Sequence, residues 1–176
     1  EHHHLDHQSL SIHMNERSFT MSVINTIELQ KGGPPLSQPQ YAIMRFAKYK
    51  GPEITNIEAH NERRKERYAS NPDIDLSRSK HNFHLIEPPQ RYQAEAERQI
   101  SAAGCRTRKD SVRVVEVLFT ATPEFFKGKK LPEIRQYFEE TLRFFVQYQS
   151  RETIISAVVH MDEKTAHMHL SFVPIT

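Results

Sequence analysis

The chain has 176 residues, 37% of them apolar, a formal net charge of +2 and a single cysteine, Cys105. This length supports one sizeable core, and a lone thiol excludes an internal disulfide and fits a reducing cytoplasm. No apolar run approaches the roughly 18–20 residues that span a bilayer and no secretory signal is present, so a soluble, bacterial cytoplasmic protein with no membrane segment is the expectation.

His2-His3-His4 has the form of an affinity-tag remnant, and residues 1–13 are set aside as vector-derived. Removing Glu1 and Asp6, with no Lys or Arg, moves the formal charge from +2 to +4. Residues 14–40 read as a leader whose Gly32-Gly33-Pro34-Pro35 cluster marks loop, weakly ordered unless it docks on the body. The catalytic unit is then expected over 41–176.

Tyr41–Tyr49 alternates as a strand. Thr55-Asn56-Ile57-Glu58 has capping-box form and predicts a helix over 56–69, stopped by Asn71-Pro72. Residues 72–89 are polar and irregular, with a short extended piece at His81–Leu85. A second helix is predicted over Gln90–Ala103, ended by Gly104. Val112–Thr120 is the clearest central strand. Pro132 opens a longer helix whose Ile134, Phe138, Leu142 and Phe145 form an apolar stripe suited to core packing. Two strands, Thr153–Met161 and His167–Pro174, close the chain. Mixed elements without strict βαβ alternation predict an α+β fold, an antiparallel sheet with helices packed on one face.

The closing hairpin carries the chemistry. Ile155, Ala157, Val159 and Met161 share one face by period-two alternation, and Ser156, Val158 and His160 the other. Pairing the strands across Asp162–Ala166 brings His160, His167 and His169 together on the polar face, an arrangement that core packing does not call for. Three imidazoles can hold one divalent ion and leave open positions for substrate. Imidazole ligands alone leave zinc, nickel, copper, iron and manganese open.

Basic residues crowd the middle of the chain: 12 of its 24 Lys and Arg lie between His60 and Arg113. Solvated helix faces account for such crowding as well as a phosphate footprint does. His60-Asn61-Glu62-Arg63 places an imidazole beside Arg63, Arg64 and Arg67 if the helix continues. Neighbouring cations keep such an imidazole neutral and nucleophilic. Ser77, Arg78 and Asn82 are suitable donors to DNA phosphates or base edges, and Arg106, Arg108 and Lys109 form a basic entry to the central strand.

Three motifs in order resemble those of one family. His60-Asn61-Glu62-Arg63 resembles its HNxR motif. Ser77-Arg78-Ser79 with Asn82-Phe83-His84-Leu85 resembles its second motif. His160-x-Asp162-Glu163-x-Thr165-x-His167-x-His169, with Pro174, resembles its third. The family is the Mob/Pre, or MobV, plasmid mobilisation relaxases, within the HUH endonucleases. Ala166, where a proline is usual, and Lys80, inserted before His81, depart from the pattern.

The resemblance implies a relaxase that nicks and rejoins single-stranded or hairpin DNA at a transfer origin and stays joined to the 5′ phosphate. It implies His60 as nucleophile, Arg63 steadying the phosphate, and a divalent ion, Mn2+ or Mg2+ ahead of Zn2+ or Ni2+, on His160, His167 and His169. Glu163 would orient a ligand or stand behind it. Asn61, Arg64, Arg67, Ser77, Arg78, Asn82, Arg106, Arg108 and Lys109 are implied DNA contacts, with other mobilisation or conjugation proteins as candidate partners. Tyr68 is the rival nucleophile, and Tyr41 and Tyr49 weaker ones. Alternatives are a tyrosine-dependent HUH replication initiator or transposase, or a non-catalytic DNA-binding module with a structural metal. A metalloprotease is disfavoured, since no H-E-x-x-H helix is present.

Overall fold

The computed structural model describes residues 41–64 and 73–176, together with two strands, Ile12–Asn15 and Ser18–Val23. In chain order the elements are β1 (Ile12–Asn15), β2 (Ser18–Val23), β3 (Ala42–Tyr49), α1 (Glu53–Asn61), β4 (Phe83–Ile86), α2 (Tyr92–Ala102), β5 (Val114–Ala121), α3 (Pro123–Phe126), α4 (Leu131–Phe145), β6 (Ile154–His160) and β7 (His167–Phe172). A 3₁₀ turn, Leu76–His81, precedes β4, and another, Arg151–Thr153, precedes β6.

The strands form one sheet in the order β1-β2-β3-β5-β7-β6-β4, every neighbouring pair antiparallel. This is the expected α+β class. The β-branched run Val114–Ala121 lies between β3 and β7, as a strand covered on both faces requires. The segment read as a leader supplies β2 and half of β1, and β1 crosses the boundary drawn at residue 13.

The predicted stripe of α4 is the core. Ile134, Phe138, Leu142 and Phe145 are buried against Val115, Val117 and Phe119 of β5, Ala157 and Val159 of β6, and Met168, Leu170 and Phe172 of β7. The α4 helix covers one face of the sheet as expected, but the helices do not all share it. A second cluster joins Ile54 of α1 and Tyr92 and Ala96 of α2 to Val114, Ile155 and Val173. Because Val114 and Val115 are consecutive on a strand, they face opposite ways. The short helices α1 and α2 therefore lie against the other face, where they frame the site.

Two local expectations change. A register shift between Ile154 and Ser156 puts Ile154, not Ile155, on the α4 side with Ala157 and Val159. The first helix begins at Glu53 rather than 56 and ends at Asn61. Pro52 and Glu53 start it, with no side-chain cap from Thr55, as proline suits a first turn. It ends because Arg63 takes a left-handed backbone, φ 51°. Arg67 and Tyr68, with the rest of the predicted 56–69 helix beyond Arg64, lie outside the described residues. Among the described residues, no helix is long and apolar enough to cross a membrane.

Candidate metal centre and nucleophile

The β6–β7 hairpin delivers the three histidines together. His160 and His167 are cross-strand partners next to the turn, and His169 pairs with Val158 on one side and Leu118 on the other. Ring centroids are 5.3 Å apart for His160–His167, 4.7 Å for His160–His169 and 4.9 Å for His167–His169. The last turn of α1 lays His60 over them, 5.9 Å from His160 and 5.4 Å from His169. Ala166 does not loosen the turn: it is buried, and its carbonyl accepts the Thr120 hydroxyl at 2.7 Å.

The ring environments assign the lone pairs. His160 Nε2 lies 2.7 Å from the Asn61 carbonyl, which only accepts, so Nε2 carries the proton and Nδ1 the lone pair. His169 Nδ1 lies 2.6 Å from Glu116 Oε1, which leaves Nε2 as its lone pair. Both lone-pair nitrogens, His160 Nδ1 and His169 Nε2, are buried without a hydrogen-bond partner. A buried polar atom left unpaired is costly, and a cation is what two converging imidazole lone pairs accept. His167 Nδ1 donates to the Thr165 carbonyl at 2.8 Å, and its Nε2 lies 2.6 Å from Glu163 Oε2. Two donor triplets have ligand atoms within 4.8 Å of one another: His60, His160 and His169, and His160, Glu163 and His167. The residues present therefore fit a divalent ion: the expected ligands His160, His167 and His169 are split between the two triplets, and Glu163 lies within donor reach of His160 and His167.

Electrostatics keep the His60 and His160 rings neutral. Burial, then His169 and Arg63, pull the His60 pKa down to about 4. Burial, His169 and Arg63 likewise depress His160. Burial works to raise Glu116, but His169 and the Asn61 amide outweigh it and hold the carboxyl below its usual range. Burial opposes the lowering of Glu163 too, and His167 and Arg63 overcome it.

Asp162 ties the three motifs together. Fully buried, it accepts from Arg63 Nε and Nη2 at 2.8 Å each, from Ser79 Oγ at 2.6 Å and from Asn82 Nδ2 at 2.9 Å. These donors outweigh its burial and hold the carboxyl well below the carboxylate range. Asn82 Oδ1 accepts the Met161 amide at 2.6 Å, so both ends of this side chain are occupied. Arg63 spends its third nitrogen on the His60 carbonyl at 3.0 Å and lies 3.5 Å from the His60 ring. Arg63 and Asn82, expected on DNA, thus face protein: they brace Asp162 because a buried carboxylate needs paired donors.

Asn61 is likewise internal. Its side-chain amide donates to Glu116 Oε2 at 2.9 Å, and its own backbone carbonyl accepts from His160 Nε2. Next to it, Glu62 accepts from Tyr92 Oη at 2.6 Å and Ser156 Oγ at 3.0 Å, and meets His84 Nε2 at 2.7 Å. Ser77 is used locally: Asp75 caps the 3₁₀ turn, its carboxylate accepting from the Ser77 amide at 3.0 Å and hydroxyl at 2.5 Å. Arg64, Arg78, Arg106, Arg108 and Lys109 are exposed, Arg64 with a 3.9 Å approach to Glu58. Sequence reasoning passed over Glu116 and gave Asp162 no role. The one carboxylate inside the apolar run Val114–Ala121 was the available signal for Glu116.

Known proteins resemble this chain in sequence and in fold. A family model described as plasmid recombination enzyme, Mob_Pre, matches residues 38–176. A plasmid recombination enzyme of Bacillus sp is 37% identical over 139 residues, 77% of this chain and 33% of that protein. A type 1 enzyme of Staphylococcus aureus is 33% identical over 141 residues, 77% of this chain and 35% of that protein. The chain thus spans about a third of the length of the curated relatives it matches. Among solved structures, the Mn-bound MobM relaxase domain with plasmid pMV158 oriT DNA aligns with a TM-score of 0.72 and 29% identity, covering 77% of this chain and 71% of that one. From the matched model, these relatives and the shared fold, the chain belongs to the Mob_Pre family of plasmid recombination enzymes, the MobV relaxases.

Proposed function

We propose that this domain is a metal-dependent single-strand DNA endonuclease and rejoining enzyme that acts at a transfer origin, with His60 as nucleophile. The observation that carries the reading is the placement of a neutral His60 ring over His160 and His169, two imidazoles whose buried lone pairs have no protein partner. His160, His167 and His169 would hold the ion, with Glu163 completing or orienting the set. The Mn bound in the MobM domain makes manganese the first choice. When bound, the ion supplies Lewis-acid stabilisation of charge at the scissile phosphate.

His60 attacks phosphorus: a nitrogen–phosphorus bond forms, the bond to the 3′ oxygen breaks, and the 5′ phosphate stays on the protein. Reversal by a 3′ hydroxyl rejoins the strand. Arg63 fixes the end of α1 and adds positive potential beside the ring rather than gripping phosphate. Arg64, Arg78, Arg106, Arg108 and Lys109 remain the DNA contacts this reading uses, since they are exposed. Asn61 and Asn82 act by positioning. Tyr49 is a poor competitor, its hydroxyl pushed up to about 12 by burial and by Glu116. The MobM oriT complex supports origin DNA as the substrate; a cytoplasmic setting and other mobilisation proteins as partners are further parts of the same proposal.

The test is cleavage of labelled single-stranded oligonucleotides from the cognate origin, with manganese or with chelator. The reading predicts metal-dependent nicking and a protein–DNA adduct. Tight DNA binding without cleavage on any origin strand would favour the non-catalytic module instead.

A further inference from the structure

The sheet face that carries the histidines continues beyond them. His169 on β7 pairs in register with Leu118 on β5, and Leu118 pairs with Arg45 on β3. Paired residues on adjacent strands share a face, so these three form one row across the sheet. Strands lie about 4.8 Å apart, which puts Arg45 about 10 Å from His169 along the row. Val117 and Phe119, of opposite parity on β5, are buried under α4. On the row's own face α1 and α2 pack near Val114 and Ile155, whereas Arg45 and Ala47 are exposed and Leu118 is partly so. Among the described residues, Arg45 has no hydrogen-bond or ion-pair partner. An arginine on an open strip that begins at the proposed reacting centre has a charge and no internal use for it.

We infer that this row is a subsite for the nucleotide adjoining the scissile phosphate: Arg45 binds the neighbouring phosphate, and Leu118 supplies apolar support for the base or sugar between. The inference rests on the nicking-joining reading. A polynucleotide is the ligand class because it presents a further phosphate one nucleotide beyond the reacting one, and a guanidinium matches phosphate with two parallel hydrogen bonds.

Lys48 provides an internal control. It is exposed on the same strand but of opposite parity, with Phe46 and Met44, which pack on the α4 side. Binding of a fluorescent single-stranded origin oligonucleotide is titrated with chelator present, at several salt concentrations, for wild type, Arg45→Ala, Arg45→Lys and Lys48→Ala. Arg45→Ala is expected to weaken binding roughly tenfold and to reduce the salt slope by about 0.7, the share of one single-strand phosphate contact. Arg45→Lys should fall between wild type and alanine, Lys48→Ala should match wild type, and manganese affinity should be unchanged in all. If Arg45→Ala binds like wild type while wild type still nicks, the subsite is wrong and the relaxase reading stands. If Lys48→Ala weakens binding as much, the effect is diffuse charge and the subsite is also wrong. If wild type binds no single strand at all, both fall.

Discussion

Glu116 and His169 face each other across neighbouring strands, Oε1 to Nδ1 at 2.6 Å, and the other Glu116 oxygen takes the Asn61 amide. One carboxylate thus fixes the ring of a proposed metal ligand and anchors the helix end that carries His60. Glu116→Ala should lower manganese affinity by about 10- to 100-fold, the usual effect of losing the group behind a ligating histidine. Glu116→Gln should lose less, because Oε1 still accepts from His169. Calorimetric titration with Mn2+ checks both, and equal affinity in Glu116→Ala would remove Glu116 from the metal site.

Asp162 is fully buried under four donated hydrogen bonds. Asp162→Ala strands the largely covered Arg63 guanidinium, so a loss of about 3–5 kcal/mol is expected in urea unfolding. A loss below about 1 kcal/mol would mean that Arg63 finds another partner and that Asp162 is not the brace described here.

Most of the site was legible as residue types, and less of it as roles. The period-two alternation of β6 and β7 was enough to place His160, His167 and His169 on one face, because cross-strand pairing leaves little choice once the turn is short. The stripe of α4 was equally readable. The positioning shell was not. Arg63 and Asn82 look like DNA contacts in sequence, and only the burial of Asp162, 99 residues from Arg63, turns them inward. The early end of α1 was hidden as well: Arg63, whose guanidinium makes that long-range pairing, takes a left-handed backbone that its residue type does not announce.

Stability should fall in acid in a way that Glu95 helps set. Arg98 above all, then Gln90 and Gln99, hold its pKa down from 4.5 to about 2. A folded-state pKa below the unfolded one stabilises above about 4.5 and is lost as pH falls towards 2. Glu95→Gln should therefore lower stability at pH 7 and lose less between pH 5 and about 2.5 than wild type does. Urea midpoints at the two ends measure this, and parallel pH profiles would contradict it.

Phe138 is fully buried on α4, on the sheet face away from His60. Phe138→Ala should cost about 3–5 kcal/mol. Below its melting temperature the variant should keep manganese affinity close to wild type, because the donors lie on the opposite face of the sheet. A variant of near-normal stability that loses manganese binding would overturn this separation of core and site.

The most direct test of the central claim is the chemistry of the protein–DNA bond. Origin oligonucleotide is incubated with manganese and wild type, His60→Ala or Tyr68→Phe, and any adduct is digested and sequenced. The account predicts DNA on the peptide containing His60, through an acid-labile nitrogen–phosphorus bond, absent in His60→Ala and retained in Tyr68→Phe. An acid-stable adduct on Tyr68, lost in Tyr68→Phe and retained in His60→Ala, would contradict it.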